Sequence, residues 1–199
     1  MRHRTYYCAI LVLTAGCASD SRYEPLKEYE EVNATTILSA PEPGKVSAEN
    51  REAVLRGKYL VELLGCGTCH TDGALLGEPR VDRALAGSRV GIAYTNPLKY
   101  EHPGVVYAPN LTPDRETGIG RWTDQQVADA IREGAGRHGK QRILVMPWQA
   151  YAKISNEDAW SIVGYLRSLD PVRHKVPDDV PPGRKASAPY VHFGFYRTR

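Results

Sequence analysis

Apolar positions along the chain fall into helical register in three places. Within residues 51–64, Gly57, Leu60, Val61 and Leu64 recur at i, i+3, i+4 and i+7, which sets them on one helix face. A second helix is predicted from about 123 to 133, with Thr123 as its cap and Val127, Ala130 and Ile131 along one side. In the third, Ser155 precedes Asp158 at capping-box spacing, and Ala159, Ile162, Val163, Leu166 and Leu169 continue an apolar stripe. Asp170-Pro171 ends that stripe, because proline cannot extend a helix and restricts its predecessor.

Elsewhere the periodicity fades. Residues 71–107 are rich in glycine and proline, with β-prone pieces at 90–94 and 104–107, and read as loops that can hold a short hairpin. Residues 18–50 contain Pro25, Pro41, Pro43 and Gly44, and their acidic residues outnumber the basic ones seven to three. Such a stretch buries too little surface to offset its ordering entropy and is expected to act as a tether. The end of the chain, 173–199, is punctuated by proline and carries six Arg and Lys against two Asp.

The first sixteen residues read as an export signal. Arg2 and Arg4 give a positive start, and the apolar run at 6–12 is too short to span a bilayer. The run ends in Leu13-Thr14-Ala15-Gly16-Cys17, which resembles the lipobox of bacterial lipoproteins and makes Cys17 the expected lipid-bearing residue. A cleavage site for a soluble protein is the competing reading. The resulting division is a signal over 1–16, a lipidated tether over 17–50, a folded domain over 51–172 and a basic tail over 173–199. The expected location is the bacterial cell envelope, with the domain on the extracytoplasmic side of a membrane. At 199 residues, with 42% hydrophobic and 25% charged, the chain suits one globular domain with extended ends. A formal charge of +3 and the lack of a basic, aromatic-laced groove exclude nucleic acid as a partner.

Of four cysteines, Cys8 leaves with the signal and Cys17 takes the lipid, leaving Cys66 and Cys69. These lie in Cys66-Gly67-Thr68-Cys69-His70, the attachment signature of a c-type haem. Two thiols at this spacing can each form a thioether to one vinyl group, and the adjacent histidine becomes the proximal iron ligand. A thioredoxin-like redox pair would need a βαβ setting, and a zinc site would need a second ligand pair; neither pattern is present. For the second axial position the candidates are Met146, a soft thioether donor, and His102 and His138.

The order Cys-x-x-Cys-His, then Pro109-Asn110-Leu111, then Met146-Pro147, then an aromatic-bearing last helix resembles class I cytochrome c. The run Asn110-Leu111-Thr112-Pro113-Asp114 with Thr117-Gly118-Ile119-Gly120-Arg121-Trp122-Thr123 resembles the branch containing cytochrome subunits of bacterial membrane-bound dehydrogenases. The resemblance covers about 51–172. It implies an all-α, class I cytochrome c fold with a long loop insertion after the attachment motif. It also implies one covalent haem c with His70 and Met146 as axial ligands, and Pro109 as acceptor of the other ring proton of His70. Ile162 and Tyr165 are expected to pack on the Gly57/Val61 face. The implied function is one-electron transfer between redox partner proteins rather than catalysis. A haem enzyme with an open sixth site is the alternative. Trp122 is a candidate either for a haem propionate contact or for the core.

Overall fold

The computed structural model describes residues 24, 27, 29–32, 37–136 and 145–193. The signal segment, Cys17 and His138 lie outside the described residues.

Helix α1 (Arg51–Leu63) carries Glu52 in its first turn, where a negative charge suits the helix N-terminus, and buries Val54, Gly57, Leu60 and Val61. Helix α2 (Cys66–His70) is one short turn beyond it. Helix α3 (Asp124–Arg132) is closed by a capping box in which Thr123 and Gln126 satisfy each other's backbone N–H. Helix α4 (Trp148–Tyr151) follows Pro147. Helix α5 (Asn156–Ser168) starts at Ser155, whose Oγ accepts the Asp158 N–H at 3.0 Å. The Asp158 carboxylate is held by the Arg56 guanidinium at 2.9 and 3.3 Å, which ties α5 to α1.

The α1/α5 crossing is the centre of the fold. Gly57 sits so close to α5 that an added Cβ would overlap the Ser161 carbonyl oxygen and lie 2.8 Å from Tyr165 Cβ. Only glycine fits this contact. Tyr165 is wholly buried beside it and donates its hydroxyl to the Pro41 carbonyl at 2.6 Å. Val61, Leu85, Ile119, Val127, Ile162 and Leu166 complete the main core. Arg167 joins α5 to the 119–124 segment, donating to the Ile119 carbonyl at 2.8 Å and to Asp124 at 2.8 Å.

The helical frame agrees with the apolar periodicity to within a residue at each end. A small sheet is added to it. Strands β1 (Gly91–Ala93) and β2 (Val105–Val106) pair antiparallel, with Ile92 opposite Val106. Strand β3 (Tyr190–His192) pairs parallel to β1 on its other side, giving the order β2-β1-β3. The hairpin expected within 71–107 therefore gains a third strand from a segment with no strand signal of its own.

Two segments set apart by composition are bound into the fold. In 37–50, the Ala40 N–H donates to Glu62 at 2.9 Å and the Gly44 N–H to the Ser168 carbonyl at 2.8 Å. In 173–193, Val180 and Val105 exchange two backbone hydrogen bonds of 2.8 Å. Both segments obtain backbone partners from elements far away in sequence, so neither needs a periodicity of its own. Among the described residues, no helix is long and apolar enough to cross a membrane.

Candidate functional site

The site is built where α1 ends. A turn at Gly65 leads into α2, which sets Cys66, Cys69 and His70 on one side of a short helix. Cys66 and Cys69 form no disulfide. Burial pushes the Cys66 thiol up to about 11 and also raises that of Cys69.

The His70 ring is fixed from the far side of the site. Its Nδ1 lies 2.8 Å from the Pro109 carbonyl oxygen. A carbonyl can only accept, so Nδ1 carries the proton and the lone pair of the neutral ring is on Nε2. The Pro109 loop is locked in turn by Asn110, a fully buried amide. Asn110 donates to Thr117 Oγ1 at 3.0 Å and to the Val172 carbonyl at 2.7 Å, and accepts from the Thr112 N–H and hydroxyl. The His70 carbonyl accepts the Gly87 N–H at 2.8 Å.

Met146 enters from beyond α3, at the turn leading into α4, with its carbonyl accepting the Trp148 N–H at 2.8 Å. Tyr151, on α4, donates its hydroxyl to the Leu64 carbonyl at 3.1 Å and so pins the Met146 turn to the end of α1. Burial pushes the Tyr151 phenol up to about 12, which keeps it a donor.

These groups face a common space. One cavity, with about 1060 Å³ of empty volume including its mouth, is lined by Cys66, His70, Pro109, Trp122, Met146 and Ile162 among others. A second, of about 1360 Å³, is lined by Cys69 together with Cys66, His70, Pro109, Met146 and Tyr151. The two cavities share Cys66, His70, Pro109, Met146 and Tyr151, so they are lobes around one set of donors. Ile92, Val106 and Tyr107 from the 71–107 segment wall the second lobe. Two thiols, an imidazole nitrogen and a thioether sulfur thus converge on a mostly apolar space. That donor set suits a soft transition metal in a flat organic frame.

His102 and His174 do not line either lobe; the His102 carbonyl accepts from Gly183, and the His174 ring donates to the Ala86 carbonyl. The roles of Asn110 and Tyr151 were not apparent in the sequence. Asn110 stood there as one letter of a motif, and no local pattern signals that its amide is buried and paired with Thr117 and Val172.

Comparison with known proteins identifies a family for the chain. The family profile described as cytochrome c matches residues 54–170. The cytochrome subunit of fructose dehydrogenase from Gluconobacter japonicus is 32% identical over 132 residues, covering 66% of this chain and 24% of that protein. The cytochrome c subunit of the quinone alcohol dehydrogenase from Gluconobacter oxydans is 30% identical over 164 residues, covering 80% and 31% respectively. A diheme cytochrome c-type protein of Cereibacter sphaeroides is 29% identical over 161 residues, covering 81% and 46%. The chain spans less than half the length of each of these relatives.

Proposed function

The chain belongs to the cytochrome c family, whose members carry covalent haem c and transfer electrons, and on that premise we propose that it is a monohaem carrier anchored to a bacterial membrane. The observation that carries this reading is the convergence of Cys66, Cys69, His70 and Met146 on one cavity. Cys66 and Cys69 would hold the haem through thioethers, and His70 and Met146 would be the ligands to its iron. The haem supplies a one-electron couple between ferrous and ferric iron. With His70 and Met146 both as ligands, little would need to move between the two oxidation states, and oxygen or peroxide would be denied the iron.

The fit supports the assignment. The cavity has the apolar lining that a porphyrin face needs, both thiols border it, and the Nδ1 proton of His70 is held so that Nε2 is the ligating nitrogen. Ile92, Val106 and Tyr107 then serve as cover for one haem edge, which makes the 71–107 segment an insertion that shields the cofactor.

The relatives' names motivate the setting. Cytochrome subunits of a fructose dehydrogenase and a quinone alcohol dehydrogenase point to a dehydrogenase-associated carrier in the cell envelope. We place a lipid on Cys17, with residues 18–36 as the link between membrane and domain. The chain contains one Cys-x-x-Cys-His motif, which supports the reading of one haem.

An absorption spectrum of the reduced protein, with and without carbon monoxide, tests the reading. A c-type spectrum unmoved by carbon monoxide is expected. A prompt shift would mean an open sixth position and would transfer the protein to the class of haem enzymes.

A further inference from the structure

The segment after the last helix, set apart by composition as a basic tail, lies against the loops that hold His70. We propose that residues 172–180 form a positioning element for His70, acting through His174 and Asp179; this rests on His70 being the proximal haem ligand.

Two arms lead from this segment to the histidine. In the first, His174 is buried at 8% exposure, and its Nδ1 donates to the Ala86 carbonyl at 3.0 Å. The next residue, Gly87, gives its N–H to the His70 carbonyl. Gly87 has a φ of +87° and lies between Val176 and the Pro109–Asn110 backbone. An added Cβ would sit 2.7 Å from Val176 Cγ1 and 2.9 Å from the Pro109 carbonyl carbon. The second arm starts at Asp179, whose Oδ1 accepts the Tyr107 N–H at 2.9 Å. Two residues on is Pro109, the acceptor of the His70 ring proton.

The segment is fixed at its root as well. Val172 accepts from Asn110 Nδ2 and donates its N–H to Thr112 Oγ1 at 3.1 Å, and the His174 N–H donates to Thr117 Oγ1 at 3.0 Å. Below the His174 ring, Asp72 Oδ2 lies 3.7 Å from Nε2 and is itself clasped by the Arg89 guanidinium at 2.9 and 3.0 Å. Residues 172–180 contain no helix or strand, so their register is set by these side-chain and bridge contacts. A metal-bound imidazole takes its orientation and basicity from the acceptor on its other nitrogen, so whatever holds Pro109 and Gly87 tunes the ligand.

The test uses the haem-loaded, ferrous, full-length protein. Its c-type spectrum is read first, because a wild-type chain without it overturns the haem reading before any variant is made. Exchange of the His70 Nδ1 proton with solvent is then followed by NMR, with thermal unfolding recorded in parallel. Asp179→Ala removes the acceptor for Tyr107, whereas Asp179→Asn keeps an acceptor oxygen and removes the charge. Asp179→Ala is expected to speed Nδ1 exchange by about tenfold through local opening at temperatures where the fold is intact. Asp179→Asn is expected to restore the wild-type rate. His174→Ala and His174→Asn form the matching pair, since the Asn amide can replace the Nδ1 donor. If His174→Ala fails to fold, the Asp179 pair decides alone. Wild-type exchange in folded Asp179→Ala overturns the proposal. So does Asp179→Asn behaving like Asp179→Ala, because the residue would then act by charge and not by position.

Discussion

Single side chains at this site do separable jobs, and each can be removed separately. Met146 shares the cavity with His70, and His/Met ligation raises the reduction potential of haem iron. Met146→Ala is expected to lower the potential and to admit carbon monoxide to the reduced protein; spectra and potential unchanged from wild type would exclude Met146 as a ligand. Tyr165 offers a contrasting test, of stability. Burial lifts its phenol well above the ordinary tyrosine range. In the unfolded chain the phenol ionises at about pH 10, while in the fold it stays protonated. The sign follows: this contribution is complete below pH 10 and is lost as pH rises through the higher folded value. Urea unfolding at pH 8 and pH 11 should therefore show an alkaline loss of stability that is smaller in Tyr165→Phe. At neutral pH the same variant loses its bond to the Pro41 carbonyl, at a cost of about 1 kcal/mol.

At the scale of elements, the helices were legible because each advertises itself locally. Thr123 and Ser155 cap their helices as the sequence predicted, and the apolar stripe of α5 faces the core. The Gly57 crossing was expected from the family resemblance, which set Ile162 and Tyr165 against the Gly57/Val61 face, and Tyr165 does pack there. Gly57→Ala is expected to destabilise the fold by about 1–3 kcal/mol through overpacking against Ser161, measured by chemical denaturation. The attachment motif could be read from residue type and spacing, whereas Met146 was singled out from His102 and His138 only with the help of the family resemblance. Tyr151 and β3 could not. Tyr151 matters through one hydrogen bond to Leu64, 87 residues away in sequence, and no local pattern encodes such a partner. Strand β3 has three residues and takes its identity from β1 rather than from its own alternation.

The whole molecule reads as a helical domain wrapped at both ends by chain that composition alone would leave loose. Residues 37–50 brace the α1/α5 pair, and 172–193 brace the loops around His70. Ahead of these lies the segment proposed to join the domain to a membrane. Cys17→Ser is expected to release the protein from the membrane to the soluble fraction without altering its c-type spectrum, as fractionation and absorption would show.

The parallel pairing of β1 with β3 brings residues 91–93 and 190–192 together across about half the chain. Closing so long a loop is entropically unfavourable until the contacts it creates are made, so this pairing belongs late in folding. The wall formed by Ile92 is then unlatched while the thiols are already displayed on α2. A chain emerging from its N-terminus keeps one side of the cavity open until residues 190–192 arrive, an interval in which a cofactor can enter laterally instead of threading into a closed shell. Pulse-labelled hydrogen exchange during refolding should find the amides of β3 protected after those of α1 and α5.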